Sequence, residues 1–286
     1  MPEGHTLRRL ADDVTETFGG RRTRVSSPQG RFASEAALLD GTVLESADSA
    51  GKHLFLTFEG DRIVHIHLGL IGKLDLGRAS DGPDSPDSTE VPLPVGQVRL
   101  RLAAGPSYAD LRGATQCALV TPAERDAVVA KLGPDPLRPD ADPEKAWRRI
   151  SRSPRAIGDL LMDQEVLAGV GNVYRAEVLF RHRIHPLRPG RTLRRRQFQG
   201  IWEDLVVLMA EGVKTNRIDT VRPEHTPEAT GRPPRQDDHG GEVYVYRRAG
   251  MPCHVCGSTV RTEVLAGRNS FWCPKCQPRF RSRARV

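Results

Sequence analysis

The spacing of apolar residues divides the chain into stretches of different period. Over residues 2–18, Leu7, Leu10, Val14 and Phe18 recur at helical intervals and Gly19-Gly20 ends the pattern, which predicts an amphipathic helix. From 22 to 120 the pattern shortens to alternation. Arg62-Ile63-Val64-His65-Ile66-His67-Leu68 and Gln97-Val98-Arg99-Leu100-Arg101-Leu102 alternate cleanly, and Lys52–Phe58 is a further strand. Strands of this kind bury one face each, so two packed antiparallel sheets, a β-sandwich, are expected. Residues 81–96 (DGPDSPDSTEVPLPVG) read as a polar, proline-rich mobile loop.

Beyond 120 the helical period returns. A short helix is expected at 122–132, with Pro122 in its first turn. Residues 133–140 (GPDPLRPD) break regular structure and read as a linker. Helices follow at 142–151, 156–166, 172–182 and 191–213, while the proline- and charge-rich residues 219–241 are expected to be disordered or mobile. The expected organisation is an α+β chain. A helix plus sandwich spans 1–132, a linker 133–140, a helical domain 141–248, and a cysteine-bearing hairpin with a basic tail (Arg279, Arg281, Arg283, Arg285) spans 249–286.

Four of the five cysteines give that last segment its chemistry. Cys253, Cys256, Cys273 and Cys276 are spaced C-x2-C-x16-C-x2-C, so each pair forms a knuckle and four thiolates close a tetrahedral site. One structural Zn2+ is expected, with no open coordination position for chemistry. Two disulfides would need a secreted protein, and the Met-Pro-Glu-Gly start lacks the basic–apolar pattern of a signal peptide. No apolar run approaches the roughly 18 residues of a membrane helix. A cytoplasmic, reducing setting without membrane contact is therefore expected, and Cys117, in an apolar run, reads as a buried thiol. Charge separates the halves: residues 1–135 hold 15 Lys+Arg against 19 Asp+Glu, and residues 136–286 hold 28 against 17. A basic half of this size suits the phosphates of nucleic acid or an arginine-rich solvated surface, and the cysteine hairpin in the same half favours the first.

Candidate chemistry begins at the other end. Pro2 follows the initiator Met, whose removal would leave a secondary amine. An α-amine titrates near 8, so at neutral pH it is available to attack a carbonyl-like carbon. Glu3 is placed to move protons, although Pro-Glu also suits an ordinary helix start. In Gly169-Val170-Gly171-Asn172, two glycines precede a helix whose N-terminus could receive an anion, or Asn172 could simply cap it. Arg268, between the two knuckles, could fork onto a phosphate, and Lys52, between Gly51 and a strand, could reach one as a point charge.

Taken together, Met1-Pro2-Glu3-Gly4, Gly51-Lys52-His53, Gly169-Val170-Gly171-Asn172-Val173-Tyr174 and the four-cysteine finger carrying Arg268 and ending Cys276-Gln277 resemble the bacterial formamidopyrimidine-DNA glycosylase / endonuclease VIII family over about residues 2–277. The resemblance implies a catalytic N-terminal helix and sandwich, a helix–two-turn–helix domain and a zinc finger. DNA would lie in a cleft between domains, with the damaged nucleotide flipped out. It implies that Pro2 attacks the anomeric carbon, Glu3 donates a proton, and Lys52 donates a proton in β/δ-elimination and contacts a phosphate. Asn172 and Arg268 would grip the lesion phosphate, and Glu177 occupies a helix–two-turn–helix position. The implied protein is a monomeric, nucleoid-associated repair enzyme: a bifunctional glycosylase/AP lyase acting on duplex DNA with oxidised bases or abasic sites.

Two departures bear on the lesion. The formamidopyrimidine branch carries an Arg-Phe pair in a wedge loop, whereas here Arg112 is followed by Gly113. Leu70 stands where many relatives place a Met, and an apolar side chain there still serves as a wedge. Residues 219–241, which cap the flipped base in the guanine-specific branch, do not resemble a purine clamp. The expectation is the endonuclease VIII-like branch acting on oxidised pyrimidines, with a formamidopyrimidine/8-oxoguanine glycosylase or a non-catalytic damaged-DNA-binding protein as alternatives.

Overall fold

A computed structural model describes residues 2–79, 91–236 and 241–280. The chain divides into two compact units, Met1–Lys131 and Leu132–Val286.

The first unit opens with α1 (Gly4–Phe18), followed by β1 (Arg21–Ser26), α2 (Ala33–Leu39), β2 (Thr42–Ala50), β3 (His53–Phe58) and β4 (Arg62–His67). β5 (Lys73–Arg78), β6 (Val98–Ala104), β7 (Ser107–Arg112), β8 (Gln116–Val120) and α3 (Pro122–Ala130) complete it. The strands run antiparallel in the order β5-β7-β6-β1-β2-β3-β4-β8. β1 is shared between two sheets: Arg21–Thr23 pair with β2, and Arg24–Ser26 turn to β6. The two halves bury their apolar faces in one core, Leu54, Leu56, Val64 and Ile66 from one side and Leu100, Leu102, Ala109 and Leu111 from the other. This is the expected sandwich.

Leu7, Ala11, Val14 and Phe18 of α1 enter the same core, each at most 1% exposed. Burial of Leu7, Val14 and Phe18 contributes about 1.5–3 kcal/mol each. The Thr15 hydroxyl donates to the Ala47 carbonyl (3.2 Å) and accepts from the Ala47 amide (2.9 Å), which fixes the helix along β2. The N-terminal residues are thereby held in place. The alternating pattern did not anticipate α2, a seven-residue helix that buries Ala36 and Leu39. Its Ala-Ser-Glu-Ala-Ala-Leu-Leu sequence has high helix propensity, and two buried positions three apart suffice.

The second unit contains α4 (Pro143–Ile150), α5 (Ile157–Leu160), α6 (Asn172–Arg181), α7 (Arg195–Thr215), α8 (Pro227–Thr230) and the hairpin β9 (Arg261–Leu265) and β10 (Arg268–Trp272). Its core joins Ile150, Leu160, Tyr174, Leu179, Ile201 and Leu205 to Val260, Phe271 and Cys273 of the hairpin region. The helix expected over 156–166 is only Ile157–Leu160. Asp163 turns the chain by accepting from the Glu165 amide (3.1 Å), and two successive turns then lead to α6. Residues 133–140, expected as a linker, are held on this unit: the Gly133 amide donates to the Gln164 carbonyl (2.8 Å), and the Ala168 amide to that of Pro134 (3.1 Å).

Residues 219–236 correct the expectation of disorder. They form a 3-10 turn (Pro223–His225) and α8, with two contacts to the segment beyond 241: the Arg222 amide donates to the Tyr244 hydroxyl (2.9 Å), and Arg232 pairs with Glu242 at 2.6 Å. The proline and charge content that suggested a mobile coil instead supplies turns and partners. Residues 237–240, most of the loop expected at 81–96, Met1, Arg281, Arg283 and Arg285 lie outside the described residues.

Candidate functional site

The sequence-predicted residues fall into one group on each unit. On the first, Pro2 is half-buried and Glu3 has no exposed surface. Glu3 stands at the N-cap of α1, its carbonyl accepting from the Thr6 amide (2.9 Å), so the fixed helix sets the position of both residues. His5 is buried too. Burial, reinforced by the amino-terminal charge, lowers its pKa to about 4, so it is neutral at pH 7.

Lys52 sits half-buried at the two-residue tip joining β2 and β3. Beside it lies a histidine cluster that the sequence reading did not single out. Register places His53 opposite His67 and Phe55 opposite His65, so all four share one sheet face. The Gln116 side-chain amide donates to His65 Nδ1 (2.9 Å), which leaves the His65 proton on Nε2, facing His53 Nδ1 at 2.8 Å. Burial and neighbouring imidazoles lower His53 and His65 to about 4; burial, then the Lys52 charge, lowers His67. The signal in the sequence was the odd-position repeat of His53, His65 and His67 on paired strands.

These histidines predict acid lability. Their folded pKa values lie below the unfolded 6.5, so the unfolded chain binds more protons as pH falls from 6.5 toward 4, and stability falls with it. Denaturant unfolding should show a lower midpoint at pH 5 than at pH 7, and His53→Gln should remove part of that difference; an unchanged difference would remove the cluster as its cause.

Leu70 lies in the β4–β5 connection and is 64% exposed, with Ile71 beside it at 80%. The connection is tight. Gly69 has φ +70°, and a Cβ there would stand 2.3 Å from the Thr115 methyl, so only glycine fits. Two large apolar side chains are thus held out in solvent on a braced loop. Arg112 is differently placed: its guanidinium donates to the Val95 carbonyl (2.9 Å), Asp75 (3.0 Å) and Asp110 (2.8 Å), which ties down its own loop. Cys117 is buried, which pushes its thiol up to about 12.

On the second unit, Asn172 opens α6 behind a turn braced by Gln164, whose side chain accepts from the Gly169 amide (2.9 Å) and donates to the Val170 carbonyl (3.0 Å). Asn172 Nδ2 donates to the Asn269 carbonyl (3.0 Å), one residue from Arg268. Buried Arg175, three residues along α6, donates to Asn172 Oδ1 and to the same Asn269 carbonyl (3.0 Å). Asn172 and the Arg268 hairpin are therefore brought together, with Arg175 as the tie. Arg268 follows a two-residue turn in which Ala266 (φ 49°) and Gly267 (φ 73°) are both left-handed, the geometry of a tight hairpin, and its side chain is exposed.

The four cysteine sulfurs lie within 4.8 Å of one another. The Cys253–Cys276 and Cys256–Cys273 separations are 3.9 and 3.4 Å. Sulfurs about 2.3 Å from a central zinc would be about 3.8 Å apart, so the cluster could hold such an ion. Both knuckles close alike, the Gly257 amide on the Cys253 carbonyl (2.9 Å) and the Gln277 amide on that of Cys273 (2.8 Å). Buried Gln277 then donates to the Ile184 carbonyl (2.8 Å), seating the finger on the helical domain.

Glu177 is the hub of this unit. Fully buried, it accepts from the Thr220 hydroxyl (2.7 Å) and the amides of Tyr244 (2.7 Å), Val245 (2.9 Å) and Tyr246 (2.9 Å). It binds the segment leading into the finger to α6.

Comparison with known proteins agrees with this layout. Residues 1–117 match the formamidopyrimidine-DNA glycosylase N-terminal domain, 132–222 its H2TH domain, and 250–279 a zinc finger found in FPG and IleRS. The chain is 52% identical to Endonuclease 8 1 of Mycobacterium tuberculosis, covering 97% of this chain and 100% of that one. It is 34% identical to formamidopyrimidine-DNA glycosylase of Thermomicrobium roseum, covering 80% and 79%. In fold it matches the Lactococcus lactis Fpg crystallised with lesion-containing DNA, with TM-score 0.76 and 21% identity over 97% of this chain and 100% of that one. Its sandwich, two-turn helical domain and four-cysteine finger, with full-length identity to such relatives, make this chain a member of the formamidopyrimidine-DNA glycosylase / endonuclease VIII family of DNA repair glycosylases.

Proposed function

We propose that the chain is a bifunctional DNA glycosylase/AP lyase that removes oxidised pyrimidines from duplex DNA. The observation that carries the mechanism is Glu3, a carboxyl group with no exposed surface, one residue from the Pro2 amine. Once Met1 is removed, the Pro2 nitrogen attacks the sugar's anomeric carbon and the glycosidic bond breaks toward the base. Glu3 supplies the proton that opens the sugar, and the nitrogen lone pair completes an iminium. The cationic iminium acidifies the adjacent sugar C–H. Loss of that proton expels the 3′ phosphate, and a second elimination expels the 5′ phosphate. Lys52 serves as proton donor and phosphate contact, while Asn172 and Arg268 hold the lesion phosphate, Arg268 by its exposed fork. Leu70, with Ile71, fills the space vacated in the stack. Arg112, bonded to Val95, Asp75 and Asp110, braces the end of β7 and reaches DNA only by exchanging those partners. A single zinc in the four-cysteine cluster supplies a rigid crosslink for the hairpin that carries Arg268.

Two observations support the pyrimidine preference: the 52% identity to a relative named Endonuclease 8 1, and the folding of 219–236 onto its own unit through Tyr244 and Glu242. A segment so pinned is a poor cap for a flipped purine. Cutting of thymine-glycol and 8-oxoguanine duplexes, side by side, tests the preference. The thymine-glycol strand should be cut faster, and faster cutting of 8-oxoguanine would assign the chain to the purine-directed branch.

A further inference from the structure

A small pocket of about 70 Å³ lies within the second unit, lined by Phe180, Arg183, Arg222, His225 and Tyr244 among others. Its walls come from separate parts of the chain: the end of α6, the 3-10 turn at 223–225, and Val255 and Cys276 of the finger. Its floor is rigid. Phe180 stacks on Tyr244 with ring centroids 4.5 Å apart, and the Tyr244 hydroxyl is held by the Arg222 amide (2.9 Å) and His225 Nδ1 (3.0 Å).

The guanidiniums differ in what they have left to give. Arg181 is spent on Asp204 (2.6 and 2.7 Å) and the Thr220 carbonyl (2.6 Å). The side chains of Arg183 and Arg222 are exposed and carry no hydrogen bond or ion pair among the described residues. Glu224, 3.9 Å from His225, is largely in solvent, and Asp204 is taken up by Arg181 of the wall (2.6 Å). The end of α6 contributes a negative pole of about half a charge, and the zinc-loaded four-thiolate cluster, of which Cys276 lines the pocket, a net charge of about −2, so the two guanidiniums offset that charge and recognition rests on their free hydrogen-bond donors.

We propose that this pocket binds a phosphate group, either inorganic phosphate or a terminal phosphomonoester. Its volume is that of about two waters, enough for one oxyanion. Donors arriving from separate walls suit a tetrahedral oxyanion better than a planar carboxylate. The site is separate from the Asn172 group by the length of α6, about 15 Å for its 10 residues. The proposal therefore stands apart from the glycosylase reading.

Phosphorus NMR titration of inorganic phosphate with full-length, zinc-loaded protein at fixed ionic strength tests it. Saturable binding is expected, with acetate binding more weakly. Each of R183Q and R222Q should weaken it about tenfold, the loss of one charge-assisted hydrogen-bonding group. R152Q/R196Q, which removes two exposed arginines elsewhere on the unit, should leave it unchanged. Absence of saturation, equal weakening in R152Q/R196Q, or acetate binding as tight as phosphate would overturn the assignment.

Discussion

Protein whose Pro2 nitrogen is blocked by an uncleaved N-terminal extension should give no borohydride-trapped adduct with abasic or lesion-containing DNA. The reason is electronic. In the processed chain the Pro2 nitrogen is a secondary amine whose unprotonated form carries a free lone pair. In an extended chain it is a tertiary amide, its lone pair is delocalised, and no iminium can form. Loss of a covalent nucleophile costs on the order of 10³-fold or more in rate. DNA binding should survive, because Asn172 and Arg268 belong to the other compact unit and their positions depend on Asn269 and Arg175. Trapping gels and binding titrations on the same preparation separate the two outcomes. Full trapping by the extended protein would remove Pro2 as the nucleophile.

Glu177→Ala should unfold the second unit or leave it unable to retain its finger. One carboxylate satisfies four donors, the Thr220 hydroxyl and three consecutive amides, all in a site with no exposed surface. Truncation strands each of them, at about 1–3 kcal/mol per group. The sum rivals the 5–15 kcal/mol that holds a typical domain folded. Thermal unfolding and metal content of the purified protein are the measurements. A native-like melting temperature with full zinc content would show that water or repacking replaces the carboxylate. Glu177→Gln is the informative companion: it keeps the shape and one acceptor but turns an N–H2 group toward N–H donors, so it should rescue only in part.

Much of this organisation was legible before any coordinates. Leu7, Val14 and Phe18 predicted the buried stripe of α1, and alternation at 62–68 and 97–102 predicted β4 and β6. Both signals work because burial is decided locally by the period of the backbone. The cysteine spacing anticipated the sulfur cluster for the same reason, since a knuckle is a local turn. Expectations failed where local content conflicted with distant partners. Residues 219–236 look disordered by composition, yet Tyr244, 22 residues beyond Arg222, and Glu242, 10 beyond Arg232, supply partners for them. For Arg112, too, the partner is distant: Asp75, 37 residues back, accepts from one of its nitrogens.

The sequence by itself determined most of the element types, the α+β class, the four clustered cysteines and the presence of an amine and an acid at the chain's start, because each depends on spacing within a few residues. Only the tertiary structure decided that Glu3 is wholly buried, that three histidines surround the Lys52 tip, that Asn172 reaches the Arg268 hairpin through Asn269, and that Glu177 holds amides 67 to 69 residues away. Desolvation and hydrogen-bond satisfaction are properties of everything that surrounds a group, and those surroundings are assembled from parts of the chain that no local pattern connects.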